Sequence, residues 1–186
     1  MPKLTPIWKR MADFCIAKGG IEPMSSLGPK KWLNWPALAA LTGGTDTTPV
    51  DGTRWTTSIY LPHCMTLTGI GYLIGTVGGT DKAIVELHDV DGTLLAHSAL
   101  AGVTVGTLAT FQELPFTAPI QVVGPGFYYL SVTMNGTTAR LRTLPVALGV
   151  SQTIYSKSAT GTFGTVGALT VPTAFVATTA PIAYVY

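Results

Sequence analysis

Charge is what this sequence has least of. Only 11% of its 186 residues are Asp, Glu, Lys or Arg, and Lys157 is the only charged side chain after Arg142. A soluble domain ordinarily covers itself with about twice that share of charge. So sparse a coat, with a mean hydropathy of +0.39, implies that much of the surface is buried against other chains or covered by Thr and Gly. Cysteine is scarce too. Cys15 and Cys64 are the only two, too few for a disulfide framework in a chain long enough to fold on an apolar core, so both are expected as free, buried thiols in a reducing compartment. No apolar run reaches the roughly 18 residues of a membrane span, so a membrane partner is not expected. The start of the chain, MPKLTPIWKRMADFC, lacks the continuous apolar core of a secretory leader, which predicts cytoplasmic synthesis without a signal peptide.

Catalytic constellations are equally thin. No G-x-S-x-G elbow, phosphate-binding glycine loop or pair of acid–base carboxylates is present. Glu86 and Glu113 are the only glutamates in the body of the chain, which leaves glycosidase chemistry without its two placed carboxylates. His63 adjoins Cys64, but consecutive strand residues point to opposite faces, so the two do not form a nucleophile–base pair. Asp89-Val90-Asp91-Gly92 resembles the start of a calcium loop, yet the further ligands and closing Glu are missing, and Asp89 and Asp91 are expected to shape a turn. His63, His88 and His97 lack the spacing of metal ligands. His88 and His97 are instead expected to face each other across a hairpin at Asp91-Gly92. The reading is therefore no enzyme, with no catalytic residue, metal or cofactor.

What is present is strand and turn. Between Met65 and Thr143, β-branched and apolar residues alternate with Thr and small residues, and Gly-Gly, Asp-Gly, Pro-Gly and Asn-Gly punctuate the runs. Strands are expected over 54–61, 65–76, 82–88, 93–97, 107–114, 120–123, 127–134 and 137–143. The last two are read as a hairpin turning at Asn135-Gly136, and Gly69 and Gly71 as a bulge or a close backbone approach. About eight such strands predict an all-β fold: an antiparallel β-sandwich of jelly-roll type. Tyr72, Phe127, Tyr128 and Tyr129 are candidates for an aromatic sugar-binding face, although alternation sends Tyr128 to the face opposite Phe127 and Tyr129.

Residues 1–50 differ in kind and are read as an extended N-terminal arm preceding a body over 51–186. Ile7, Met11 and Phe14 lie on one face of a short helix over 6–18, with Pro6 at its start and Gly19-Gly20 at its end. Trp32, Leu33, Trp35 and Leu38 follow among Pro and Gly, and are expected in a groove of the chain's own body or of a neighbour. Six of the 11 basic residues but only two of the nine acidic ones fall within residues 1–35. A basic, Trp-bearing arm suits an acidic protein surface, and six scattered cations are too few to predict a nucleic-acid partner. The candidate partner-binding residues are Trp8, Lys9, Arg10, Lys30, Lys31, Trp32 and Trp35. The charge-poor tail is expected to add strands or meet a neighbouring subunit, with Phe175, Tyr184 and Tyr186 as its contacts.

The runs TLTGIGYLIGTVGGTDKAIVELHDVDGTLLAHSALAG and FQELPFTAPIQVVGPGFYYLSVTMNGTTARLRT resemble the small jelly-roll virion proteins of tailed bacteriophages that decorate or cement the capsid shell. The resemblance spans residues 64–143 and lies in strand–turn rhythm. It implies a β-sandwich, often a homotrimer, that sits on the capsid exterior, binds neighbouring copies of the major capsid protein and performs no catalysis. The arm and the tail would then be its connectors. Phage fibre, tail and receptor-binding modules share the rhythm, so a carbohydrate-binding β-sandwich is the alternative.

Overall fold

The computed structural model describes residues 31–33, 44–145 and 154–186, and over these the chain is strand, turn and irregular segment with no helix. The helix read over 6–18 lies outside the described residues. The strands are β1 (Trp32–Leu33), β2 (Thr45–Thr47), β3 (Thr53–Leu61), β4 (Met65–Leu73), β5 (Lys82–His88), β6 (Leu94–His97), β7 (Val103–Thr104), β8 (Phe111–Val122), β9 (Gly126–Met134), β10 (Leu141–Thr143), β11 (Ser156–Thr160) and β12 (Ala183–Val185). Every pairing among them is antiparallel. One sheet has the order β1-β12-β4-β8 and a second runs β11-β3-β9-β5-β6 with β7 also on β5, while β10 and β2 form a separate ribbon.

Period-two alternation explains the core. β3 turns Trp55, Ile59 and Leu61 inward, β5 contributes Val85 and Leu87, and β9 contributes Tyr128, Leu130 and Val132. From the other sheet come Ile70 and Tyr72 of β4, Leu114 and Val122 of β8, and Val185 of β12, so one apolar cluster joins the two larger sheets. A smaller cluster of Leu73, Leu144, Ile154, Ala180 and Ile182 lies beside it, with Phe175 packed on it. Tyr72 is fully buried, and its hydroxyl donates to Gln112 Oε1 at 3.0 Å rather than going unpaired.

The pairings are nested: β3 with β9, β4 with β8, β5 with β7, with β6 near the centre of the run. That nesting overturns the hairpin expected at Asn135-Gly136. β9 already has β3 on one edge and β5 on the other, so no edge remains for the segment that follows it. The chain is instead turned away by Asp81, whose Oδ2 accepts from the amides of Thr138 and Ala139 at 2.9 and 2.8 Å. β10 then pairs with β2. The two strands read over 107–114 and 120–123 are in fact one, β8, which runs through Pro115 and Pro119. β8 forms the end of its sheet, where a residue without an N–H leaves no ladder bond broken on the open side.

Other expectations hold. β3 and β5 start and end within a residue of their expected bounds, and Gly92 turns the β5–β6 hairpin at φ 83°. The register shifts between Leu67 and Gly69, as the glycines suggested. Two further corrections concern side chains. His97 faces Glu86, and His88 faces Leu94, because β6 pairs with β5 in a register at least two residues away from the one a His88–His97 pair needs. Cys64 is disulfide-bonded rather than a free thiol; such pairing is set by tertiary approach, which spacing along the chain does not reveal.

Candidate functional site

Two charged clusters organise the molecule. The first lies where both flanking segments of the body meet. β12 inserts between β1 and β4, pairing Tyr184 with Leu33 on one side and with Gly71 on the other. Gly71 has no side chain, and the Tyr184 ring occupies that space: a Cβ there would lie 2.3 Å from its Cζ. Gly69 is covered in the same way by Tyr186. Tyr184 is 2% exposed. Its hydroxyl donates to Glu113 Oε1 at 2.6 Å, and Lys31 Nζ reaches the same oxygen at 2.5 Å while lying 5.0 Å from the ring centroid. Phe111 packs against the ring at 5.0 Å between centroids. Burial and the adjacent Glu113 hold the Tyr184 phenol well above its usual range, and burial raises that of Tyr186 to about 12.

Glu113 is shifted the other way. Hydrogen bonds from Lys31 and Tyr184 favour its ionised form and outweigh the opposing effect of burial, so its pKa is lowered. A carboxyl whose folded pKa is depressed contributes stability above its unfolded pKa and loses it as pH falls through the folded one. Acid is therefore expected to loosen the β1–β12–β8 corner. Replacing Glu113 by Gln should flatten the acid limb of a stability–pH curve measured by urea titration between pH 7 and 3, and an unchanged limb would remove Glu113 from that role.

The second cluster is on the face of the β3–β9–β5 sheet turned away from the core. Arg54 Nε lies 3.0 Å from Glu86 Oε1, and His88 Nε2 lies 3.5 Å from Glu86 Oε2. Glu86 is 1% exposed and His88 fully buried. Beside them Thr56 and Ser131 share a hydroxyl hydrogen bond of 2.9 Å. Polar residues on the outer face of a sheet ordinarily meet water. These do not, because residues 161–171 cross over them: the Arg54 guanidinium donates to the carbonyls of Gly167 and Ala168 at 3.4 and 3.3 Å, and His88 Nε2 lies 3.0 Å from the Gly167 carbonyl. A third ion pair, Arg142 Nε to Asp46 Oδ1 at 3.1 Å, fastens β10 to β2.

The sequence-derived candidates are distributed as follows. Trp32 packs on the main core and meets His63 edge-on at 5.4 Å, so this part of the arm lies on its own body. Lys31 is bound to Glu113 and Tyr184. Trp8, Lys9, Arg10, Lys30 and Trp35 lie outside the described residues. Phe175 and Tyr184 pack within their own chain, and Tyr186 sits over Gly69. Of the aromatic candidates, Tyr72, Tyr128 and Tyr129 are buried and only Phe127 is exposed; it pairs with Tyr60 at 5.2 Å between centroids, both rings about half open to solvent. Asp89 accepts from the amides of Asp91 and Thr93, so it closes the turn as expected. Among the described residues no group of three His, Cys, Asp or Glu side chains could hold a metal ion.

Sequence reasoning missed the Arg54–Glu86–His88 cluster. Alternation along β5 places Glu86 and His88 opposite Val85 and Leu87, but nothing local indicates that a distant segment covers that outer face. No protein-family model matches this chain, and no curated protein matches it.

Proposed function

We propose that this chain is a non-enzymatic structural protein of a phage virion, a β-sandwich of jelly-roll type that decorates the exterior of the capsid shell and binds neighbouring copies of the major capsid protein. The observation that carries this reading is how the few charges are used. Lys31, Glu113, Arg54, Glu86, Arg142 and Asp46 are consumed in internal pairs. Tyr60, Phe127, Val123, Tyr155 and Val176 meanwhile stay 38% to 51% exposed, alongside other exposed large apolar residues. A surface short of charge and dotted with large apolar groups suits burial between subunits, here a homotrimer on a shell. The nested pairing of β3–β9, β4–β8 and β5–β7 supports the jelly roll, since a ribbon folded on itself and wrapped yields that order.

The exposed Tyr60–Phe127 pair favours a second reading, a fibre, tail or receptor-binding module that stacks sugars on its aromatic rings. One pair of measurements separates the two. Full-length protein is expected to saturate purified phage shells at many copies per particle and to give no signal on a glycan array. Replacing Trp8, Lys9 and Arg10 by Ala should abolish shell binding without changing the thermal midpoint. Glycan binding that is lost in a Tyr60→Ala, Phe127→Ala variant, with no shell binding, selects the second reading instead.

A further inference from the structure

We propose that residues 161–171 form a strap that opens as one unit while the sheets beneath stay folded, and that the Arg54–Glu86–His88 cluster is its latch. The strap has no regular structure, and between Gly161 and Val171 only Leu169 is buried. Its holds are concentrated at its middle: Arg54 and His88 grip the carbonyls of Gly167 and Ala168, and the Leu169 amide donates to the Gly92 carbonyl at 2.8 Å. At one end Phe163 lies over Gly102, where a Cβ would stand 2.5 Å from its Cζ.

Beneath the strap the chemistry is unusual for a sheet face. Glu86 is buried, neither of its oxygens makes a well-directed hydrogen bond, and His88 Nδ1 is buried without a hydrogen-bond partner. Buried polar groups left short of bonds weaken whatever covers them, because opening lets water satisfy them. The face below is meanwhile held independently, by the full β3–β9 and β5–β9 ladders and by an apolar core on the opposite side. A lightly held cover over a strongly held sheet is the arrangement in which local opening costs far less than global unfolding. Glu86 is central because it orients both Arg54 and His88, the two side chains that reach the strap.

Native-state hydrogen exchange on the full-length protein tests this. The Leu169 amide is expected to exchange at least about tenfold faster than the ladder amides of β9, through an opening insensitive to low denaturant. Glu86→Gln should accelerate Leu169 about tenfold more relative to those ladder amides. His88→Phe, which removes one grip on Gly167 without stranding a charge, should do the same to a smaller extent and serves if Glu86→Gln fails to fold. Leu169 exchanging in step with β9 in the wild-type protein would overturn the strap. Variants that accelerate all amides equally would overturn the latch.

Discussion

Gly71→Val is expected to cost about 3 kcal/mol, the upper end for overpacking a core, and more if the strand is displaced. The valine Cβ would begin 2.3 Å from Tyr184 Cζ, with both Cε atoms within 2.7 Å. The ring has nowhere to retreat. Its hydroxyl is held by Glu113, its face lies against Phe111 and under Lys31, and its backbone is paired on both sides by β1 and β4. Gly126→Ala is the control, because its nearest neighbours stand at 3.5 and 3.6 Å, ordinary contact distance. It is expected to change stability by no more than about 0.5 kcal/mol. Urea midpoints give both values. A double variant adding Tyr184→Ala to Gly71→Val should lose less than the two single changes together, as residues competing for one space do. Full additivity would mean that the ring and the glycine do not share that space.

Arg54→Ala is the second large effect, at about 3 kcal/mol, the lower end for breaking a buried ion pair because Arg54 keeps 15% of its side chain exposed. The loss comes less from the attraction removed than from the carboxyl group left behind: Glu86 would remain in a site with 1% exposure, without its guanidinium partner and with only the His88 ring beside it at 3.5 Å. Replacing both partners, Arg54→Met with Glu86→Leu, should recover most of the stability, since apolar groups of similar volume need no solvation. Thermal or urea unfolding of the three variants decides it. Were Arg54→Ala as mild as a surface change, the pair would be contributing little and Glu86 would be reaching water.

The contrast between these two sites shows what the sequence made legible. Local periodicity was enough to place β3 and β5, and the glycines at 69 and 71 announced a close approach before its partner was known. Which group approached was not legible, since Tyr184 and Tyr186 lie more than 100 residues further along, in a tail whose sequence reads only as uncharged. The Asn135-Gly136 turn misled for a related reason. Asn-Gly reports a local preference, whereas strand pairing depends on whether an edge is free, and β3 and β5 had taken both edges of β9. The latch residues were the least legible. Glu86 and His88 alternate like solvent-facing positions, and only the crossing of residues 161–171 turns their face into an interior.

The nested pairing carries a kinetic consequence. Ala83 meets Val103 across a short loop, Leu73 meets Phe111 across a longer one, and Arg54 meets Thr133 across the longest. Loop closure costs more entropy as the loop lengthens, but each inner pair already formed shortens the free chain that the next must close. The cheapest route therefore zips from the inside outward. The outermost strand, β3, is then the last of the nested set to be captured, and with it Arg54 arrives only after Glu86 is in place on β5, so the ion pair sets as the final closure rather than as the seed.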